Sequence, residues 1–153
     1  MSAGVLQAAQ LDRLGRALLA TPSDAVIYAD REGVIRFWNP GAERIFGFGV
    51  EEALGQSLDI ITPEPQRARH WAGFDRVMQT GESRYGHGDI LAVPALRKDG
   101  TRISIEFTIV PIRGEDGAIE SMAAILRDVT RRFEETRALR RELAELKRRS
   151  AEA

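Results

Sequence analysis

The chain has 153 residues, no cysteine and a formal net charge of -1 at pH 7, and 43% of its residues are hydrophobic. This length fits one domain with short flanking segments, and the lack of cysteine excludes disulfides, thiolate metal sites and cysteine nucleophiles. No stretch approaches the roughly 20 apolar residues that a membrane helix requires, and the charge balance argues against a globally basic nucleic-acid binder. We expect a cytoplasmic domain with no signal peptide and no membrane contact.

Residues 1–20 predict an amphipathic helix. Leu11, Leu14 and Leu18 recur at the spacing of one helical face, with charged residues between them. The helix is expected to end before Pro22, because proline disfavours helical geometry at the preceding residue.

Two short apolar runs, residues 25–29 and 34–38, predict a β-hairpin. They are rich in strand-forming residues and are joined by a four-residue connection that ends in glycine. Two brief helical patterns follow, at residues 42–46 and 50–54, and each ends at a glycine. Such short helices are typical of a compact connector rather than of a helical bundle.

A longer central helix is predicted from residue 63 to residue 78. It opens with Pro-Glu-Pro, which suits a first helical turn because the N–H groups there have no intrahelical partner and negative charge is favoured. His70, Phe74 and Val77 share one face of this helix.

Three strands are predicted at residues 88–96, 102–112 and 119–127. Asp-Gly turns between them favour tight antiparallel hairpins, and alternating residues in the second strand place one sheet face in the core. With the first hairpin, this order predicts an α+β fold: a five-stranded antiparallel sheet with short helices on one face.

The C-terminal residues 131–153 predict a second amphipathic helix. The segment 131–149 contains eight basic and four acidic residues, and Leu139, Leu143 and Leu146 form an apolar stripe. A helix of this length cannot bury its stripe against a small domain that is already covered, so we expect a homodimer through the terminal helices, in a short coiled coil. The expected organisation is therefore an N-terminal helix, a domain over 21–130 and an output helix.

Several short fragments follow one another in a characteristic order and spacing: Pro22-Ser23-Asp24-Ala25-Val26-Ile27, Arg36-Phe37-Trp38-Asn39-Pro40, Ala42-Glu43-Arg44-Ile45-Phe46-Gly47, Gly55-Gln56-Ser57, Arg97-Lys98-Asp99-Gly100-Thr101 and Arg127-Asp128-Val129-Thr130. Together they resemble bacterial PAS domains over roughly residues 21–130. The resemblance implies the PAS fold and a sensory role in signal transduction. Its function would be to detect a ligand or redox state and to pass the result to a helix.

A narrower resemblance concerns the run Pro-Glu-Pro-Gln-Arg-Ala-Arg-His that ends at His70. It looks like the helix that supplies the proximal haem histidine in the oxygen-sensing haem PAS domains of nitrogen-fixation histidine kinases. This resemblance implies haem b as the cofactor, with His70 as the axial ligand of the iron and gas or redox sensing as the function. Phe107 and Ile109 would lie against the distal side. Arg67 and Arg69 are candidate partners for the haem propionates or another anion, although a solvated helix face is the simpler interpretation.

One segment departs from that pattern. Where the nitrogen-fixation sensors carry a distal arginine after Gly-x-Gly, this chain has Gly86-His87-Gly88-Asp89. An ionised aspartate cannot donate a hydrogen bond to bound oxygen. His87 is therefore the candidate replacement donor or second axial ligand, although a solvent-exposed loop histidine is the simpler interpretation. The two histidines do not have zinc-site spacing.

Asp128 and Thr130 are the candidate signal-relay residues, because they lie where the last strand meets the output helix and can cap that helix. No hydrolase elbow, kinase signature or paired-carboxylate pattern is present in the sequence, so we do not expect an enzyme.

Two alternatives to haem remain open. The chain can instead be a haem-free dimerisation or protein-interaction module, or it can sense another small organic ligand. Flavin is less favoured, since the cysteine adduct of flavin photosensors is impossible here, but non-covalent flavin binding stays open. Candidate partners of the output helix are a histidine kinase, a cyclic-dinucleotide enzyme or a transcriptional effector, and nucleic acid is not expected.

Overall fold

The computed structural model of the chain describes residues 4–82 and 92–153. Its five helices are α1 (Ala8–Leu19), α2 (Pro40–Phe46), α3 (Val50–Ala53), α4 (Arg67–Thr80) and α5 (Thr130–Glu152), and two 3-10 helices span Leu58–Ile61 and Glu64–Gln66. Its five strands are β1 (Ala25–Asp30), β2 (Ile35–Trp38), β3 (Val93–Leu96), β4 (Arg102–Arg113) and β5 (Ile119–Asp128).

The strands form a single antiparallel sheet in the order β2-β1-β5-β4-β3. The two predicted Asp-Gly turns do join neighbouring strands. The last strand, β5, lies between β1 and β4 in the sheet. The expected α+β class and the five-stranded antiparallel sheet are therefore confirmed.

Several boundaries differ from the sequence-based expectation. The central helix begins as the 3-10 helix Glu64–Gln66 and becomes α-helical only at Arg67, because Pro65 disfavours α-helical geometry at the residue before it. The third strand begins at Val93, and residues 88–91 of the predicted strand lie outside the described residues.

The main core lies between the inner face of the sheet and the short helices α2 and α3. Its anchor is Asn39, which is only 1% exposed and forms hydrogen bonds with all of its polar atoms. Its Oδ1 accepts from the backbone N–H groups of Val26 (2.7 Å) and Ala42 (2.8 Å), while its Nδ2 donates to the carbonyls of Thr21 (3.1 Å) and Asp24 (3.0 Å). Asn39 thus connects the segment before β1 to the first turn of α2.

The terminal helices differ from the rest of the fold because neither contains a buried residue. The predicted stripe of α1 is 46–62% exposed at Leu11, Leu14 and Leu18. In the described parts of the chain, none of the helices combines the length and apolar character needed to span a bilayer.

Candidate functional site

The inner face of α4 packs on the sheet and forms a second apolar cluster, separate from the main core. Phe74 and Val77 are buried there against Met122 of β5. Their spacing in α4 follows from the helical period, which returns a side chain to the same face after three or four residues. Partly buried side chains complete the cluster: Leu58, Trp71, Met78 and Ile109.

Trp71 holds α4 in place through two contacts. Its indole N–H donates a hydrogen bond of 2.8 Å to Oδ1 of Asp59, in the preceding 3-10 helix. Its six-membered ring lies directly on Gly33, in the β1–β2 turn, where an added Cβ would be 2.2 Å from ring carbon Cη2. Gly33 also has a φ of +78°, so both the backbone and the indole require glycine at this position.

His70 lies beside Trp71 at the edge of this cluster and is partly buried. Its ring meets that of Trp71 edge-on, with 4.9 Å between centroids, and that of Phe74 at 6.4 Å. Burial lowers the pKa of His70 below its ordinary value of 6.5, while the negative charge of Asp59 acts in the opposite direction. The imidazole is therefore neutral at pH 7, the protonation state in which histidine can bind a metal.

The Nδ1 atom of His70 is buried, and no residue in the described ranges provides it with a hydrogen-bond partner. Buried polar atoms are nearly always paired, so an atom of this kind is a candidate contact for a bound molecule. By contrast, no group of three or more His, Asp or Glu side chains in residues 4–82 and 92–153 could hold a metal ion.

Phe107 and Ile109 are partly buried on β4, the strand next to β5. Ile109 packs against the α4 cluster, whereas Phe107 packs against the main core. The structure therefore places Ile109 on the same cluster as Trp71 and Phe74, the two rings that contact His70, and Phe107 two residues earlier along the same strand.

The remaining predicted site residues differ in their positions. Arg69 is exposed on α4. Its neighbour Arg67 is already engaged, because it donates to the carbonyls of Thr62 (3.2 Å) and Asp59 (3.4 Å). His87 lies outside the described residues.

Asp128 and Thr130 lie at the root of α5. The Asp128 carboxylate accepts hydrogen bonds from both the backbone N–H (3.0 Å) and the hydroxyl of Thr130, and Val129 occupies the N-cap position between them. The Thr130 hydroxyl oxygen accepts from the backbone N–H of Ser104 on β4, at 3.0 Å. The first turn of α5 is thus joined to β4 through a side chain.

A charge pair adds a second link between α5 and β4. Arg132 of α5 bonds to the Glu106 carboxylate, and the Glu106 side chain is 17% exposed. Ser104 and Glu106 alternate along β4 with Ile105, Phe107 and Ile109. One face of this strand therefore meets the apolar clusters, while residues between them meet the output helix.

Sequence reasoning missed Asp59 and Gly33 as parts of this site. Both contact Trp71, yet they belong to segments well separated from it along the chain. No spacing or motif links the three residues, so only the folded arrangement reveals the contact.

Comparison with known proteins identifies close similarities. A family model described as the PAS fold matches residues 19–134. Sensor protein FixL of Bradyrhizobium diazoefficiens is 34% identical over 116 residues, which are 75% of this chain and 22% of FixL. Oxygen sensor protein DosP of Escherichia coli is 28% identical over 91 residues, 60% of this chain and 11% of DosP. The chain thus spans about a fifth or less of these relatives.

Among solved structures, the PAS domain of a Colwellia psychrerythraea protein superposes with a TM-score of 0.68 and 26% sequence identity. The match covers 79% of this chain and 98% of that domain. The similarity therefore extends over nearly the whole of an independently determined domain.

Proposed function

This chain belongs to the PAS fold family, and from that premise we propose that it is a sensory module that binds haem b through His70. The observation that carries the proposal is the state of His70 itself. The side chain is partly buried beside an apolar cluster, burial lowers its pKa and so favours the neutral form, and its buried Nδ1 has no hydrogen-bond partner in the described residues.

The relatives support a sensory role over a catalytic one. FixL is named a sensor protein and DosP an oxygen sensor protein. This chain spans only a small part of each relative, so the effector on which its output helix acts is proposed as well. A histidine kinase, a cyclic-dinucleotide enzyme or a transcriptional effector would each suit a sensor over 21–130 followed by the output helix.

The residues present fit haem chemically. A neutral imidazole at His70 can serve as the axial ligand, and Ile109 and Phe107 provide apolar, partly buried side chains on β4. Arg69, exposed one residue before His70, can pair with carboxylates at the rim of the site. When bound, haem would supply an iron centre that responds to a diatomic gas or to redox state.

The β4 strand provides the proposed route to the output helix. Ligand-dependent displacement of Phe107 or Ile109 would move the same strand that binds Thr130 through Ser104 and Arg132 through Glu106. Because β4 is hydrogen-bonded along its length to β5, it would transmit such a displacement as a unit. Asp128 and Thr130 are then the residues at which α5 detects the change.

An absorption spectrum tests this proposal directly. The protein, expressed with a supply of haem, is expected to show a Soret band that is lost in His70→Gly and restored when imidazole is added to that variant. Gln79→Ala, on the exposed side of α4, is the matched control, and His87→Ala tests the second histidine. A purified protein without a Soret band, or a band unchanged in His70→Gly, would overturn haem binding through His70.

One observation favours the haem-free alternative as a second candidate. Trp71 and Phe74 already pack closely against His70 and against each other, with 5.3 Å between the Trp71 and Phe74 ring centroids. If these rings fill the site, the module would act through protein contacts or bind an organic molecule much smaller than haem. Native mass spectrometry of the purified protein distinguishes these cases by the mass of any retained ligand.

A further inference from the structure

The output helix α5 separates its charges onto different sides. It contains eight basic and five acidic residues. Because each residue advances the helix by about 100°, five of the basic residues fall within a sector of about 120°, along about 16 Å of the helix axis. None of the five glutamates lies in this sector. All five basic side chains are exposed, and together they form the cationic face: Arg137, Arg140, Arg141, Lys147 and Arg148.

The cationic face is the part of α5 whose charges are not compensated. Among the described residues, the ion pairs of α5 use its three other cations: Arg131 with Glu135, Arg132 with Glu106 and Arg149 with Glu145. Arg140 and Lys147 have no acidic residue three or four positions away, so neither can form an ion pair along the helix. The face therefore presents several like charges to an external anion.

The side chains between these cations favour a nucleic-acid backbone over an acidic protein. Ala144 separates the two groups of cations, and the one large apolar side chain in the sector is Phe133, at its start. A protein interface usually has an apolar centre that is depleted in charge, which this face lacks. A phosphate backbone binds mainly through charge, and the planar guanidinium group of arginine matches its oxygen atoms.

An anionic membrane surface fits less well. A helix that lies in a membrane interface inserts its apolar stripe and places cations beside it. In α5 the stripe of Leu139, Leu143 and Leu146 is bordered on one side by Glu135 and Glu142. The centre of the cationic face lies about 130° around the helix from the centre of the stripe. The helix therefore cannot turn both fully toward one surface.

We propose that the cationic face of α5 binds the phosphate backbone of nucleic acid without reading its base sequence. This activity goes beyond the proposed sensory function and does not depend on haem. The net charge of -1 favours no such binding, but the summed charge does not reveal that the cations are gathered on one side of a helix. The leucine stripe lies on another side, so pairing of helices through the leucines would leave most of the cationic face open.

Fluorescence anisotropy of the full chain with labelled DNA and RNA duplexes of mixed sequence tests the binding. Both duplexes are expected to bind at low salt, because they share the phosphate backbone. If all five cations contact phosphates of the DNA duplex, the logarithm of the binding constant should fall with the logarithm of the salt concentration with a slope of about -4.5. No binding at low salt, or an affinity that does not depend on salt, would overturn the proposal.

Two double variants test whether the face itself is responsible. Arg141→Gln with Arg148→Gln removes two charges from the cationic face, on the side of α5 opposite the leucines. We expect an affinity lower by about tenfold or more and a salt slope reduced by about 2. Arg131→Gln with Arg149→Gln is the matched control, since it removes the same charge from outside the face. Equal losses in both would assign the binding to net charge and contradict the proposal.

Competition experiments address the other two partners. Poly-glutamate at equal charge concentration is expected to displace the duplex only weakly, and mixed phosphatidylcholine–phosphatidylserine vesicles should not displace it. Displacement by poly-glutamate as strong as that by unlabelled duplex would favour an acidic protein, and displacement by the vesicles would favour a membrane; either would overturn the proposal. The substituted residues all lie on α5, so the Soret band can be recorded in the same variants and haem binding fails or holds separately.

Discussion

Trp71 and Asp59 are joined by a hydrogen bond of 2.8 Å between the indole N–H and a carboxylate oxygen. The bond ties α4 to the 3-10 helix before it and brings a negative charge close to His70, whose pKa it raises against the larger lowering by burial. One carboxylate therefore both orients the aromatic neighbour of His70 and influences the protonation of His70.

Replacing Asp59 by asparagine separates these two effects. The amide oxygen still accepts from Trp71, but the negative charge is gone, so we expect the pKa of His70 to fall further. An NMR titration of the imidazole in a His87→Gln background, which leaves one histidine, measures it. Asp75→Asn, at an exposed carboxylate on α4, is the control, and an unchanged or raised pKa in Asp59→Asn would refute the assignment.

The depressed pKa of His70 also predicts how stability depends on pH. In the unfolded chain His70 has its ordinary pKa of 6.5, whereas in the folded protein its pKa is lower. At pH values below about 6.5 the unfolded chain therefore binds a proton at His70 more readily than the folded protein does. The His70 contribution to the free energy of unfolding therefore falls as pH drops below about 6.5 and is constant above it. Urea unfolding at several pH values should show that acidification lowers the free energy of unfolding less in His70→Gln than in the parent protein. Equal decreases in the two proteins would contradict the prediction.

Gly33 and Gly55 provide a matched pair for testing the packing of Trp71. Both have a positive φ, +78° and +84°, but an added Cβ meets the indole only at Gly33 and nothing within 4 Å at Gly55. Gly55→Ala should cost about 1–2 kcal/mol from backbone strain, and Gly33→Ala about 1–3 kcal/mol more. In a Trp71→Leu background that excess should disappear from the unfolding curves; if it persists, the indole is not its cause.

Asn39 is expected to be the most sensitive polar position in the core. Asn39→Leu leaves the N–H groups of Val26 and Ala42 without their side-chain acceptor and removes two donated bonds, so we expect a loss of about 3 kcal/mol or more. Chemical denaturation measures it, with the exposed substitution Gln79→Leu as control. A loss below about 1 kcal/mol would mean that the network adds little to stability.

Replacing Thr130 by valine removes the hydrogen bond between the start of α5 and β4 with little change in side-chain shape. Thr130→Val removes the acceptor of the Ser104 N–H and the donor to Asp128. We expect faster hydrogen exchange at the Ser104 amide and a loss of about 1 kcal/mol in stability. Thr136→Val, at an exposed position of α5, is the control and should leave the Ser104 amide protected from exchange. Equal protection of that amide in both variants would show that Thr130 does not connect α5 to β4.

The sequence was sufficient to predict the fold because local signals and global architecture agree. Asp-Gly turns at residues 99–100 and 116–117 join strands that do pair, and the alternation along β4 identifies its inner face. The PAS resemblance, carried by fragments spread over residues 21–130, is confirmed by the family match. The first and last residues of the elements were predicted less accurately. For example, the central helix was expected from residue 63, but α4 begins at Arg67.

The properties of the candidate site were less accessible. The family resemblance singled out His70, Phe107 and Ile109, and Arg69 was a candidate because of its charge beside His70. It did not reveal the Asp59 bond to Trp71 or the approach of that indole to Gly33. These contacts join segments that are distant along the chain, and side-chain spacing carries information only about residues on the same helix or strand.

The sequence by itself determined the order of helices and strands, the leucine stripe of α5 and the charges beside it, because these depend on local periodicity. Only the tertiary structure decided that burial lowers the pKa of His70, that its Nδ1 is buried without a described partner, and that β4 contacts both the apolar clusters and the root of α5. The physical reason is that burial, and with it the pKa of a side chain, is set by neighbours that folding brings together.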